Sequence, residues 1–338
     1  MHMANELLSI PVAAGTILVA GTGLGLVCHH LRRVLATERL PLMGILGAFV
    51  FAAQMVNVQL PGMPGTSGHL IGAVLLAILL GPTAGALVIS SVVIVQCLIF
   101  QDGGLLALGC NIINMALVPC YLGYSLYHTV TLGRPARWRT YIGALIASWA
   151  AVEAGAALVP VECALAGVLI VPLRTFLATL LGVHLLVGLM EGLLTVAVLV
   201  YLGRVRPELI RLPGTALLSR RAAMATLLAC AILCAGGLSL LASRMPDGLE
   251  WAYAVRPDQP DFRPMVLNPS PHVAAANQLA SRYTPLPDYS CRAAPIGEVA
   301  RAESNAAAGW TSFAGVTGSL LSMGLVWLCV RLIRTKNS

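Results

Sequence analysis

Apolar stretches of about 20 residues recur along most of the 338-residue chain, and their length rather than any strand-like alternation sets the expected architecture. Reading for apolar length places membrane spans near residues 8–30, 40–57, 69–82, 84–100, 104–127, 140–160, 175–203, 223–243 and 313–332. Residues 69–82 are short for a full crossing, and residues 161–174 fit either a re-entrant or an interfacial piece. The expected fold is an all-α polytopic membrane protein of about nine transmembrane helices.

One stretch breaks the pattern. Residues 244–312 carry nine of the 20 prolines and seven of the 14 acidic residues, with no long apolar run. Between two spans this predicts an outer loop domain, partly extended, with proline fixing turns and blocking ladders. The chain then divides into a membrane bundle over 1–205, a cytoplasmic linker over 206–222, and a second part over 223–338 with two spans flanking the loop. The alternative for the loop is a solvated linker.

Composition agrees. The chain is 58% hydrophobic and 10% charged, against roughly 45–50% and about 25% in soluble domains. Its net charge of +7 belongs to no soluble basic patch, so a nucleic-acid partner is not expected; the partner is the lipid bilayer. The basic residues form four clusters: Arg32, Arg33 and Arg39; Arg134, Arg137 and Arg139; Arg204, Arg206, Arg211, Arg220 and Arg221; and Arg331, Arg334 and Lys336. Nine spans with the N-terminus outside and the C-terminus cytoplasmic put every cluster inside, as the positive-inside rule requires. A bacterial cytoplasmic (inner) membrane is the expected location. Of the nine cysteines only Cys291 falls in a polar region, so no disulfide framework is expected.

Candidate chemistry is sparse. His2 offers three nitrogens in succession, namely the Met1 α-amine, the His2 amide and the His2 imidazole, which close two fused chelate rings on one ion. Displacing the amide proton favours Ni(II) or Cu(II), which accept square-planar nitrogen coordination. His69 is the candidate fourth ligand, because it follows the glycine-rich outer loop 61–68 at the same membrane face. For any one intramembrane histidine, a hydrogen-bonded packing role is the alternative. Asn57, Gln59 and Ser67 are expected around the ligands as orienting groups.

Gln96, Gln101, Asp102, Asn111, Asn114, Glu153, Glu162, His184 and Glu191 are further polar positions inside spans. They fit either a pathway or helix-to-helix hydrogen bonding. Ser67 and His69 lack the nucleophile turn and orienting acid of a hydrolase. The run Gly21-Thr22-Gly23-Leu24-Gly25 lies in an apolar helix without a lysine, so no nucleotide site is expected. No catalytic residue and no cofactor are expected.

The start Met1-His2-Met3, the run Gln54-Met-Val-Asn57, the block Gly65-Thr-Ser-Gly-His69-Leu-Ile-Gly72, Leu80-Gly-Pro82, Gln96 with Phe100-Gln-Asp-Gly-Gly104, and Ala107-Leu-Gly-Cys-Asn111-Ile-Ile-Asn-Met115 resemble the nickel/cobalt substrate-binding component of energy-coupling-factor (ECF) transporters, the NikM/CbiM family. The segment from His184 to Glu191-Gly192 resembles that family's last long helix. Met245-Pro-Asp-Gly-Leu-Glu250 resembles the signature of the small N component, so the chain is similar to a fused M and N pair. The resemblance covers residues 1–205 and the loop start. It implies a seven-helix M-like bundle plus a two-helix N-like part.

The resemblance also implies a planar four-nitrogen site from Met1, His2 and His69, with Asn57 as a neighbour. The expected activity is ATP-driven import of Ni(II), with cobalt supply to cobalamin synthesis as the alternative. The implied partners are a coupling transmembrane subunit (NikQ/CbiQ-like) and cytosolic ATPase subunits (NikO/CbiO-like). No Walker-type phosphate loop occurs in the chain, so ATP hydrolysis is expected in a separate subunit. Here Ala4-Asn5-Glu6-Leu7 replaces the family's usual turn after the first residues. An ion-coupled secondary transporter and a metal sensor are the remaining classes.

Overall fold

Nearly every long apolar run folds as helix in the computed structural model, which describes residues 1–35, 39–132, 136–243, 245–254, 256, 259, 261–268, 270–290 and 303–335. Cys291, Arg134 and Lys336 lie outside the described residues. Helix α1 (Ile10–Val34) starts with proline in its first turn and ends on Arg32 and Arg33; α2 (Leu40–Gln54) also starts on proline. Two-residue strands β1 (Val58–Gln59) and β2 (Ser67–Gly68) pair antiparallel. Then come α3 (Ala73–Leu80), α4 (Pro82–Val95), α5 (Leu108–Ile112), α6 (Val118–Thr131), α7 (Arg137–Ala166), α8 (Leu173–Val205) and α9 (Arg220–Gly236). Short helices α10 (Gly248–Tyr253) and α11 (Pro271–Tyr283) precede the last helix, α12 (Glu303–Thr335). Among the described residues, six helices are long and apolar enough to cross a membrane. The chain is a polytopic all-α membrane protein.

The run 69–82 is not one helix. Residues 69–72 are irregular and helix begins only at Ala73, because Gly72 takes φ +77° where a Cβ would meet Val50 at 2.9 Å. Irregular backbone is tolerated in such proteins where other groups satisfy its amides. Here the Glu191 carboxylate from α8 accepts from the Ile71 and Gly72 amides at 2.6 and 2.8 Å. The expected span at 104–127 is broken as well: α5 passes through a π-helical turn, Ile113–Leu117, into α6. A second such turn, Gln96–Phe100, ends α4. These wider turns commonly mark functional sites, and both carry a residue that faces the chain's first three residues, Gln96 and Asn114.

Residues 161–174 form no re-entrant helix. Helix α7 runs on to Ala166, and the connection to α8 pairs Leu169 with Val266 of the loop domain. The last helix begins at Glu303 rather than near 313, which shortens the loop domain. That domain packs on the bundle through a shared core: Leu249, Trp251 and Tyr253 of α10 are buried in the same cluster as Met1, Met3, Phe176 and Val183.

Candidate metal centre

The first three residues thread into the bundle rather than trailing from it. Met1 and Met3 are buried, and the Met1 methyl group lies where a Cβ on Gly155 of α7 would approach within 3.0 Å. Asn111 of α5 clamps Met3 on both sides, accepting from its N–H at 2.7 Å and donating to its carbonyl at 3.2 Å. The Gly104 amide adds a second bond to that carbonyl at 2.9 Å. The approach needs glycine: a Cβ on Gly104 would strike Asn5 Oδ1 at 2.4 Å. Asn5, part of the unusual Ala4–Leu7 segment, is buried and accepts from the Leu106 amide at 2.8 Å.

This threading brings the three expected ligand residues together. The Met1 nitrogen lies 3.1 Å from His69 Nε2, and the His2 and His69 rings stack with centroids 5.3 Å apart. His69 Nδ1 is 3.0 Å from the Leu70 carbonyl. A carbonyl only accepts, so Nδ1 carries the proton and Nε2 keeps its lone pair toward the amine. The His2 imidazole spans Gln96 Oε1 and Asp102 Oδ1, each at 3.1 Å. Among the described residues the His2 amide N–H has no hydrogen-bond partner, which leaves it free to be displaced by a metal.

Two carboxylates complete the surroundings. Asp247 Oδ1 accepts from the Glu250 amide at 2.8 Å, capping α10, while its Oδ2 meets the Met1 nitrogen at 2.5 Å. Burial alone would raise the Asp247 carboxyl, but the terminal ammonium, His69 and its hydrogen bonds hold it below its ordinary value. Asp102 Oδ2 accepts from the Tyr289 hydroxyl at 2.5 Å. Burial and the adjacent Asp102 keep that phenol protonated, so it stays a donor. Beside these groups opens a cavity of about 850 Å³ whose lining includes Glu6, Asp102, Asp247, Glu250 and Asp288. Burial, then Asp247 and Asp288, raises the Glu250 carboxyl. In a chain of net charge +7, this local acidity favours cations at the mouth.

The three residues expected around the ligands are placed differently from one another. Asn57 lines the cavity, and its carbonyl accepts from the Ser243 amide at 2.8 Å. Gln59 is exposed on β1. Ser67 is buried two residues before His69 and donates to the Met245 carbonyl at 2.8 Å, with its amide on Pro246. The imidazoles themselves bond to Gln96, Asp102 and the Leu70 carbonyl. Gln54, Asp247 and Tyr289 were not expected at the site; the sequence marked Gln54 only in the run Gln54-Met-Val-Asn57 and Asp247 only in the Pro-Asp-Gly-Leu-Glu block. Gln101 lines the cavity, whereas His184 and Glu162 make their hydrogen bonds elsewhere. His184 donates along its own helix to the Leu180 carbonyl, and Glu162 accepts from Asn114.

Comparison with known proteins gives this arrangement a context. Residues 2–209 match the family described as cobalt uptake substrate-specific transmembrane region, and residues 221–335 match the PDGLE domain. The chain is 36% identical over 227 residues to a putative fused nickel transport protein NikMN of Archaeoglobus fulgidus, covering 66% of this chain and 74% of that protein. It is 33% identical over 276 residues to a probable fused nickel transport protein LarMN of Lactiplantibacillus plantarum, covering 75% and 78%. A crystal structure of a truncated transition metal transporter superposes with a TM-score of 0.54 at 29% identity, covering 60% of this chain and 99% of that one.

Proposed function

Because this chain belongs to the family of cobalt-uptake substrate-specific transmembrane proteins, CbiM, with a PDGLE domain fused behind it, and is thus a nickel/cobalt transport component, we propose that it captures Ni(II) at the outer membrane face for an ATP-driven ECF importer. The observation that carries the reading is the Met1 nitrogen 3.1 Å from His69 Nε2, with the His2 ring stacked on His69. From this position the amine, the His2 amide and His2 Nδ1 wrap one ion through fused five- and six-membered rings. His69 Nε2, already carrying a free lone pair, supplies the fourth nitrogen. The metal is cargo, and the protein performs no reaction on it.

In this reading the N-terminus and the 244–290 segment face outward, in the cytoplasmic membrane of a bacterium. A coupling membrane subunit and cytosolic ATPases supply the work, since the chain has no phosphate-binding loop of its own. The PDGLE segment helps load or close the site: β2 pairs with it through Ser67 and Asp247, and Asp247 reaches the amine. Cobalt is the second reading, favoured by the family's description. Amide ligation in a plane and the similarity to fused nickel transport proteins favour nickel.

The test is Ni(II) and Co(II) titration of purified full-length protein with an unblocked Met1, read by the d–d band of planar nitrogen-bound Ni(II). Binding lost both when the Met1 amine is acetylated and in His69→Ala supports the reading. Binding that survives both changes overturns it.

A further inference from the structure

A chain of side-chain amides links the two histidines. Gln54 Nε2 donates to the Ile71 carbonyl at 2.7 Å, Gln96 Nε2 donates to Gln54 Oε1 at 2.8 Å, and Gln96 Oε1 faces His2 Nε2 at 3.1 Å. Its direction is set at the far end. A backbone carbonyl can only accept, so the Gln54 group on Ile71 is its NH2 and the Gln54 oxygen faces Gln96. The Gln96 NH2 must then point to Gln54, which leaves its oxygen for His2. Flipping either amide sets two oxygens or two NH2 groups against each other. Gln54 is 4% exposed and Gln96 0%, so no solvent relieves such a clash.

We infer that Gln96, oriented by Gln54 and the Ile71 carbonyl, is a positioning residue that keeps the proton on His2 Nε2 and so reserves His2 Nδ1 for the metal. The inference rests on the reading that Met1, His2 and His69 hold the ion. The chelate demands this choice, because only Nδ1 closes a six-membered ring with the His2 amide nitrogen. Asp102 pulls the other way: its carboxylate at 3.1 Å from Nδ1 by itself favours a proton there. Gln96 offers Nε2 an acceptor and no donor, so a bare Nε2 would set its lone pair against the buried Gln96 oxygen. The same chain ends two residues after His69, where Gln54 holds the Ile71 carbonyl of the backbone that presents the fourth ligand.

Two measurements test this. In ligand-free full-length protein labelled with 15N-histidine in lipid bilayers, solid-state NMR identifies His2 by the signals lost in His2→Ala. A protonated, pyrrole-type Nε2 is expected; a bare Nε2 with the proton on Nδ1 overturns the inference. The second is Ni(II) titration of the wild type, Gln96→Leu and Gln96→Glu. Gln96→Leu should bind about 10–100-fold more weakly, the usual effect of losing a group that orients a ligand. Gln96→Glu keeps an acceptor opposite Nε2 but sets an oxygen against Gln54 Oε1, so it should bind more weakly than the wild type yet more tightly than Gln96→Leu. No loss in Gln96→Leu, or equal loss in both, overturns the inference. Failure of the wild type to bind Ni(II) refutes the ligand assignment instead, and the NMR result still decides where the His2 proton sits.

Discussion

Asp247 Oδ2 lies 2.5 Å from the Met1 nitrogen, so a residue of the fused second part closes directly on the first atom of the chain. The same carboxylate caps α10 through its other oxygen. A bound ion turns the ammonium into a coordinated amine that still has N–H groups to donate to Asp247, and the ion gains an anionic neighbour. Asp247→Asn preserves the helix cap, because asparagine serves as well there, and removes only the charge. Ni(II) affinity should fall by about tenfold. A rise, measured by the same titration, would mean that Asp247 competes with the metal for the amine.

Glu191 acts on His69 at a distance, through the Ile71 and Gly72 amides. Glu191→Gln replaces one acceptor with an NH2 group facing a buried N–H. Leaving a buried donor unsatisfied costs about 1–3 kcal/mol, so the purified protein should melt at a lower temperature. Its Ni(II) affinity should drop about 10–100-fold. Lowered melting with intact affinity would show that the loop presenting His69 does not depend on this clamp.

How far the site could be read from sequence depends on distance along the chain. Met1, His2 and His69 stand out because an N-terminal chelate and a glycine-rich loop ending in histidine are local patterns. The broken crossing at 69–82 is hidden: Leu70, Ile71 and the residues after Gly72 read as one apolar run. What stops the helix is a positive φ at Gly72 and a carboxylate arriving from Glu191 on α8. Gln54 and Gln96 are each visible as polar residues in apolar helices, but neither periodicity nor spacing says that they meet. Asp247 and Tyr289 reach the site only because the loop domain folds back over it. The long helices themselves were legible, since apolar length alone specifies them.

Tyr289 ties the loop domain to His2 through Asp102, and its ring stacks on Phe100 with centroids 4.8 Å apart. Tyr289→Phe keeps the stack and deletes only the hydroxyl. A hydrogen bond to a charged acceptor contributes about 1.5 kcal/mol or more, equivalent to about tenfold in local opening. Hydrogen exchange of peptides spanning residues 284–290 should therefore accelerate by roughly that factor. Unchanged exchange would show that the ring stack alone holds this turn.

Metal capture should depend steeply on pH. In the proposed chelate an ion displaces one proton from the amine and one from the amide, so Ni(II) affinity should rise with pH. The apparent Kd should change by more than a decade per pH unit near neutrality. Asp247 does not contribute to that slope. Its folded pKa is depressed, so the stability it adds is complete above the ordinary carboxylate range and fades only as pH falls through the lowered value. Protein acetylated at the Met1 amine cannot form the chelate, so its residual binding should vary more gently with pH. Equal slopes in the two proteins would argue against amide ligation.

The loop domain makes its contacts where an ion would enter. Asn268 donates to the Leu8 carbonyl at 2.8 Å, Asn277 accepts from Asn5 at 2.6 Å, and Tyr289 holds Asp102. Deleting residues 250–305 while keeping both flanking spans removes all three contacts and part of the acidic cavity wall, yet spares Met1, His2, His69 and Asp247. If the domain serves loading, cells expressing the shortened chain with its coupling and ATPase partners should lose Ni(II) uptake although the chain still reaches the membrane. Their 63Ni accumulation should fall toward that of cells carrying His69→Ala. Uptake equal to the intact chain would assign these contacts to folding alone, because every proposed ligand nitrogen is still present in the shortened protein.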